Sequence, residues 1–255
     1  MERLILMLKK LKNKIHILQN IYLKNKYFVK TNSYSMDGED IAIQKYVKYT
    51  NNGFYVDIGS HHPVQRSNTC LLYQSGWRGI NVDINHFTLE LFNYLRPDDI
   101  NVQAAISDYN GDINFYYQKD FSQLNTTDIE WAKENFNNNF KTKKIKCQTF
   151  NSLLEQTKHK NQKINFLNID VEGAEMKVLK NLDFNTYDPE VLCVEILGYR
   201  DLDNSEKERA IRLDEIYKFL VGKNYKKVWS KTEGGVGAYL PRPTFLIMAL
   251  ISKRA

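Results

Sequence analysis

The fold of this chain is indicated first by residues 53–63, GFYVDIGSHHP. An apolar run ends there in an acid and is followed by a glycine and a proline. This order is typical of a buried strand that passes through a tight turn into a helix. Ligands bind at the carboxyl ends of strands in parallel sheets. We therefore expect Asp57 and Gly59 to lie at a binding site.

Beyond residue 53, short β-rich runs alternate with helical stretches, as repeated βα units require. The predicted strands are 53–58, 79–84, 100–106, 113–117, 144–149, 164–169, 191–196, 225–230 and 244–251. The predicted helices are 67–75, 87–95, 151–158, 174–182 and 206–221. This pattern predicts one α/β domain over residues 34–255, with a doubly wound, mostly parallel sheet that ends in an antiparallel hairpin.

Residues 118–143 interrupt the alternation with a polar, asparagine-rich insertion. The insertion nevertheless contains four large aromatic residues, Phe121, Trp131, Phe136 and Phe140. Two interpretations stay open: the segment forms a lid or a wall of the acceptor site, or it is a surface excursion with a small apolar cluster of its own.

The charge of the chain is concentrated at its N-terminus. The net charge is +6, and residues 1–30 contain eight basic residues and one acidic residue. The remaining 225 residues therefore sum to −1. A domain that is nearly neutral has no broad basic face for phosphates, so nucleic acid is not expected as a partner.

Residues 1–33 are predicted to form a basic amphipathic helix, because Leu4, Leu8, Leu11, Ile15 and Leu18 recur at helical spacing. Such a helix either lies on an anionic membrane surface or a partner's groove, or packs against the domain. No apolar run is long enough to span a bilayer, no cleavage site follows, and the three cysteines are scattered. We expect a cytoplasmic protein, at most peripheral at the inner membrane surface.

The loop after residue 58 narrows the choice of cofactor. A dinucleotide site needs three glycines at set positions, and only Gly59 is present. S-adenosylmethionine instead presents a cationic amino-acid end, which suits one tight turn beside Asp57. Asp83 ends the second predicted strand and is placed to bind ribose hydroxyls. Ile106 and Ser107, at the end of the third strand, are predicted to meet the adenine ring.

The segment 164–175, INFLNIDVEGAE, runs from a strand directly into carboxylates. Asp170 is expected near the reactive end of the cofactor, and Glu172 is expected to take a proton or to bind an acceptor hydroxyl. Alternatively, one of the two only caps the following helix. Glu195 ends another strand and either lines the acceptor pocket or forms a buried salt bridge.

Histidines offer a further base but no predicted metal site. His61 and His62 follow the first glycine turn, and imidazole titrates near neutral pH and binds metals readily. The other three histidines are scattered at positions 16, 86 and 159, so no ligand set with metal spacing is present.

Six motifs occur in one order along the chain: YSMDGED at 34–40, GFYVDIGSHHP at 53–63, SNT at 67–69, GWRG at 76–79, RP at 96–97 and IDVEG at 169–173. Together they resemble the FkbM family of S-adenosylmethionine-dependent methyltransferases. The resemblance is greatest to the branch found in bacterial surface-polysaccharide gene clusters.

The resemblance implies O-methylation of a sugar hydroxyl on a seven-stranded, Rossmann-like methyltransferase sheet. By position, Asp57, Gly59 and Ser60 would bind the methionine end, Asp83 the ribose, and Asp170 the region of the reactive methyl group. The catalytic base is expected among three residues, Asp170, Glu172 and His61.

Two other functions stay open at this point. One is a nucleotide-dependent oxidoreductase or epimerase on a Rossmann sheet, and the other is a non-catalytic scaffold in polysaccharide assembly.

Overall fold

The computed structural model describes residues 2–25, 31–47, 52–119, 125–197, 214–232 and 246–253. The predicted helix 206–221 is therefore described only in its second half. Phe121 of the insertion and the first two residues of the predicted strand 244–251 also lie outside the described residues.

Seven strands form the main sheet: β1 (Phe54–Ile58), β2 (Arg78–Asp83), β3 (Ile100–Gln103), β7 (Phe166–Ile169), β8 (Val191–Leu197), β9 (Tyr225–Thr232) and β10 (Leu246–Lys253). Their spatial order is β3-β2-β1-β7-β8-β10-β9. The five strands from β3 to β8 pair in parallel, and β10 runs antiparallel to both of its neighbours. The doubly wound sheet and its closing antiparallel hairpin are thus confirmed.

The predicted strand 100–106 is wrong in one respect, because it divides between two sheets. After β3 the chain turns at Ala104, whose N–H donates to the carbonyl of Asp83. The next two residues form β4 (Ala105–Ile106). A three-stranded second sheet has the order β4-β6-β5, with β5 at Gly111–Tyr117 and β6 at Lys141–Gln148.

Eight α-helices are described. They are α1 (Glu2–Leu18), α2 (Glu39–Tyr46), α3 (Cys70–Gln74), α4 (His86–Leu95), α5 (Ile129–Asn135), α6 (Phe150–Glu155), α7 (Glu175–Lys180) and α8 (Glu215–Gly222). α5 belongs to the insertion. Around it Trp131, Phe136 and Phe140 form a small apolar cluster with Tyr116.

Helices pack on both faces of the main sheet, which explains why its strands are almost continuously apolar. On one face Val56, Ile80 and Leu167 pack with residues of α6, α7 and α8. On the other face Tyr55 and Phe166 pack with residues of α2 and α3. The chain passes from β1 to β2 on one side and returns to β7 on the other. The strand order therefore reverses between β1 and β7, where α/β sheets bind ligands.

The N-terminal helix α1 packs against the domain only near its end. It continues as a π-helical turn, Gln19–Lys24, in which Ile21 is fully buried. The ring of His16 stacks on Phe87 at 4.3 Å between centroids. In contrast, Leu8 and Leu11 are each 53% exposed. The packed interpretation therefore holds for the last turns of the helix and is wrong for its first turns. None of the described helices is both long and apolar enough to cross a membrane.

A buried guanidinium organises the loop between β1 and α3. Arg96 is 1% exposed and donates to the carbonyl of Pro63 and to the hydroxyls of Ser67 and Thr69. Thr69 in turn donates to Asp57 at 2.7 Å. Because an irregular loop has no ladder of its own, these bonds satisfy polar groups that burial would otherwise leave unpaired.

We predict that Arg96→Met lowers the free energy of unfolding by about 3–5 kcal/mol. The change leaves the buried oxygens of Pro63, Ser67 and Thr69 without their donor and removes the positive charge near Asp57 and Asp99. Arg78→Met is the control: its ion pair with Asp98 is largely exposed, so the expected loss is about 1 kcal/mol or less. Urea unfolding of both variants measures the difference. Equal losses would contradict the importance of the buried guanidinium.

Candidate active site

Gly59 brings the loop after β1 against the end of β7. Its φ is +80°, a region that favours glycine, and its N–H donates to the carbonyl of Val82 at 2.9 Å. A Cβ at this position would lie 1.7 Å from the carbonyl oxygen of Asp170. The neighbouring Ser60 is 4% exposed and also donates its N–H to Val82. Only glycine permits this close approach of the two strand ends.

Asp83 ends β2 and is held by two backbone groups. One carboxylate oxygen accepts from the N–H of His61 at 2.9 Å, and the other accepts from the N–H of Asn85 at 2.7 Å. Burial raises the pKa of Asp83 to about 6. Each carboxylate oxygen can accept a further bond. The group is therefore fixed in orientation and suited to bind a pair of hydroxyls.

Asp57 lies beneath the turn and is 2% exposed. Its carboxylate accepts from the hydroxyl of Thr69 at 2.7 Å and from the amide of Asn168 at 2.9 Å. Burial raises its pKa, which these two hydrogen bonds partly offset. Asp57 therefore supports the turn from below, and its direct contact with a ligand stays a prediction.

The loop after β7 has a strained backbone at the predicted position. Glu172 has φ +52° and Gly173 has φ +97°, and such values in a non-glycine residue are concentrated at functional sites. The carboxylate of Glu175 accepts from the N–H groups of Val171 and Gly173. The N-cap residue of α7 is Ala174, which makes no side-chain cap. The capping role considered for Asp170 or Glu172 is therefore wrong, because the carboxylate that binds the backbone N–H groups of this loop is that of Glu175.

Asp170 and Glu172 are joined by Glu195 of β8. The three side chains offer carboxylate oxygens that all lie within 4.8 Å of one another. Burial, and secondly the charge of Glu175, raise the pKa of Asp170 to about 7. Glu195 is fully buried, and burial raises its pKa well above its usual range. It forms no ion pair in the part of the chain that is described, so its salt-bridge alternative is wrong there.

The insertion covers this acidic loop. The hydroxyl of Thr126 donates to the carbonyl of Glu172 at 2.7 Å. A Cβ on Gly173 would lie 3.4 Å from a ring carbon of Trp131. The insertion therefore has an apolar cluster of its own, as one interpretation predicted, and it also contacts the loop after β7. Its role as a lid or a wall of the acceptor site stays a prediction.

The two histidines of the β1 loop occupy different environments. His62 is 1% exposed; its Nδ1 accepts from the N–H groups of Val64 and Gln65, and its Nε2 bonds Asn20 at 2.9 Å. Burial lowers its pKa to about 3, and burial lowers the pKa of His61 to about 4. Both rings are therefore neutral at neutral pH. His62 connects the loop to the N-terminal segment, whereas the backbone of His61 bonds Asp83.

Ile106 and Ser107 are both buried at and just after β4. Ile106 is 5% exposed and belongs to the main core, and Ser107 is 1% exposed with its N–H donated to the carbonyl of Gln148. Their contact with an adenine ring stays a prediction.

Sequence patterns assigned no role to three groups that build this edge. Asn168 lies inside an apolar strand and bonds Asp57, while Glu175 looks like an ordinary first-turn acid. Arg96 belongs to the RP motif at 96–97, but its hydrogen bonds to the loop after β1 were not predicted. A polar residue within an otherwise apolar strand, as at Asn168, was the available signal.

A family model of the methyltransferase FkbM domain matches residues 57–227. The chain belongs to the FkbM methyltransferase family. It is therefore a methyltransferase, and S-adenosylmethionine is its cofactor. The matched residues contain all the strand ends described above, from Asp57 to Glu195. A comparison with curated proteins finds no match.

Solved structures of several methyltransferases show weak similarity. The precorrin-6y C5,15-methyltransferase of Geobacter metallireducens is 10% identical, with 89% of this chain and 94% of that chain covered and a TM-score of 0.42. The 1,6-didemethyltoxoflavin N1-methyltransferase of Burkholderia thailandensis, with bound S-adenosylhomocysteine, is 10% identical at 95% and 90% coverage and a TM-score of 0.42. An O-methyltransferase of Bacillus cereus in complex with S-adenosylhomocysteine is 11% identical at 93% and 91% coverage and a TM-score of 0.38. These values are too low to assign a substrate.

The strand ends of this FkbM protein fit the cofactor. Gly59 leaves no room for a Cβ, so the turn offers its backbone at close range. Asp83 is fixed by two N–H groups and retains capacity for the ribose hydroxyls. The acidic character of the edge suits a ligand that carries a sulfonium and an ammonium group.

We predict that His62 makes stability depend on pH. Because its folded-state pKa of about 3 lies below the ordinary 6.5, the unfolded chain binds the proton more tightly between these values. Stability from His62 is therefore fully present above pH 6.5 and is lost as the pH falls towards 3. The destabilisation caused by His62→Gln should accordingly shrink between pH 7 and pH 4, measured by urea unfolding.

The control for this experiment is His86→Gln, since the side chain of His86 is 73% exposed. A destabilisation by His62→Gln that stays constant across this pH range would show that the ring does not titrate as the structure requires.

Proposed function

We propose that this FkbM methyltransferase transfers a methyl group to a hydroxyl oxygen of a sugar, in a surface polysaccharide or its precursor. The observation that supports this most directly is the acidic loop at the end of β7. It brings Asp170 and Glu172 to the sheet edge that also carries Asp57 and Asp83. Family membership favours this reading over the oxidoreductase and epimerase alternatives.

When bound, S-adenosylmethionine supplies a methyl group that is already activated, so the protein has chiefly to orient the acceptor and to accept a proton. Asp83 orients the ribose through its fixed carboxylate. Gly59 and Ser60 provide the close backbone turn, supported from below by Asp57. The buried Ile106 and Ser107 contact the adenine ring.

Asp170 and Glu172 are the stronger candidates for the proton acceptor. Burial raises the pKa of Asp170 to about 7, which places it where a general base works best at neutral pH. His61 is the third candidate. Its backbone N–H is engaged with Asp83, which places it at the end of the site remote from β8.

The insertion supports a hydroxyl-rich acceptor. Trp131 is 7% exposed, and its indole N–H has no hydrogen-bond partner among the residues described. The adjacent ring carbon is the atom nearest to Gly173. An unpaired donor and two carboxylates at one loop are the groups that recognise sugar hydroxyls.

The test is calorimetric binding of S-adenosylhomocysteine to wild type, Asp83→Asn and Asp98→Asn. Asp83→Asn should weaken binding at least tenfold, about 1.4 kcal/mol, because an amide cannot accept from both N–H groups and the ribose. Asp98→Asn is the matched control, since its side chain is 63% exposed. Melting temperatures verify that the variants fold.

Transfer of a labelled methyl group from S-adenosylmethionine to a panel of glycans follows. With glycans that carry no amino groups as acceptors, incorporation that alkali does not release excludes methyl esters and supports O-methylation of a sugar. Cofactor binding without transfer to any glycan would favour the scaffold alternative or another acceptor class.

We propose that α1 holds the protein peripherally at an anionic membrane surface, which would be the inner face of the cytoplasmic membrane. Its first turns expose Leu4, Leu8 and Leu11, and lysines surround them. Exposed apolar residues on a basic helix bind the interface of anionic lipids, with about 1 kcal/mol for each lysine near the surface.

Sedimentation with vesicles tests this placement. Wild type should bind phosphatidylglycerol vesicles and lose binding as salt rises, and Leu8→Glu should abolish it. Tyr109→Glu is the control, because Tyr109 is 46% exposed outside the helix. A deletion should stop before Asn13, since Asn13 donates to Glu90 and the later Asn20 and Ile21 are buried in the domain. Wild-type binding equal to that of Leu8→Glu would contradict the proposal.

A further inference from the structure

Three carboxyl groups from two neighbouring strand ends converge at one point. Asp170 and Glu172 follow β7, and Glu195 lies near the end of β8; their oxygens are all within 4.8 Å of one another. Asp170 and Glu195 meet because Ile169 and Val194 are paired on adjacent parallel strands. Like charges at this distance repel strongly unless a proton or a cation lies among them.

The environment of Glu195 indicates that this group of three carboxyls lacks a compensating partner. Its side chain is fully buried, and neither of its carboxyl oxygens accepts from an N–H or hydroxyl donor among the residues that the structure describes; the groups it meets are the carboxyls of Asp170 and Glu175. One of these oxygens belongs to the three-carboxylate group, so the side chain is directed into it. A buried carboxylate is normally paired or bound to a metal, because desolvation without compensation is costly.

Within the described ranges, no positively charged group is among those that act most strongly on Asp170. The charged groups that act most strongly on Asp170 are Glu175, Asp57 and Glu39, all acids. Neither Asp170 nor Glu195 forms an ion pair with a lysine or arginine in the described part of the chain. The positive charge of the buried Arg96 acts on Asp57, where it lowers the pKa against the larger effect of burial.

We propose that Asp170, Glu172 and Glu195 bind one hard divalent cation, of the class of Mg²⁺, Mn²⁺ or Ca²⁺. Such cations prefer carboxylate oxygens. Ligands on opposite sides of the ion stand about 4.2 Å apart around Mg²⁺ and about 4.8 Å apart around Ca²⁺. The three oxygens lie no more than 4.8 Å apart, so small side-chain movements bring them to the shorter separations that ligands of one such ion have.

The role of this ion rests on the proposed methyl transfer to a hydroxyl. Three protein ligands leave coordination positions open for water or for an acceptor oxygen. A bound divalent cation lowers the pKa of a coordinated hydroxyl, so the O–H bond breaks and the proton passes to water. Asp170 and Glu172 would then position the acceptor through the ion rather than take its proton directly.

Calorimetric titration of the full chain with MnCl₂, MgCl₂ and CaCl₂, after treatment with EDTA and dialysis, tests the site. We expect one ion per chain in wild type and at least tenfold weaker binding in both Glu195→Gln and Asp170→Asn. Glu134→Gln removes the same charge from an exposed helical position and should bind as wild type. Absence of saturable binding, or equal binding by wild type and Glu195→Gln, would overturn the proposal in favour of shared protons.

Two further measurements keep the result interpretable. Melting temperatures taken in EDTA show whether Glu195→Gln is folded, and Asp170→Asn provides a second variant if it is not. Binding of S-adenosylhomocysteine is measured on the same wild-type sample. Ion binding without S-adenosylhomocysteine binding would sustain the cation site and refute the proposed function, whereas the reverse would refute the cation site alone.

Discussion

The arrangement of the site depends on one buried cation, the guanidinium of Arg96. It bonds the irregular loop between β1 and α3 at Pro63, Ser67 and Thr69, and through Thr69 it acts on Asp57. A loop of this kind has no ladder of backbone hydrogen bonds, so a planar donor with five N–H groups can satisfy several of its oxygens at once. Arg96 therefore fixes the loop that supports the turn at Gly59.

Because Arg96 acts near Asp57, the acids along the sheet edge differ in how far their charge is compensated. Asp57 is compensated from below, and Asp83 is held by backbone N–H groups. At the ends of β7 and β8, by contrast, burial and then the neighbouring acids raise the pKa of Asp170 and of Glu195. Such an edge attracts positively charged ligands, which is the character of the cofactor and of a metal ion alike. The two ends of the edge thus differ in charge: the predicted ribose side is held by backbone N–H groups, whereas the side proposed for hydroxyl chemistry carries three carboxyl groups.

Two additions to the common sheet extend the site. The insertion places Thr126 and Trp131 on the loop after β7, and the N-terminal segment places Asn20 on His62 of the loop after β1. Each addition contacts a loop that bears predicted site residues. The family match does not extend over the N-terminal segment.

The sequence by itself determined the alternation of elements, the doubly wound sheet and the acids at the strand ends. Strand periodicity and glycine turns are local, and the carboxyl ends of parallel strands must share one edge. Only the tertiary structure decided that the strand at 100–106 divides between two sheets, that Glu175 rather than Asp170 or Glu172 serves the loop, and that Glu195 joins them. These outcomes depend on contacts between residues far apart in the chain. The exposure of Leu8 likewise followed from packing, because an amphipathic pattern shows that a helix has an apolar face and not what covers it.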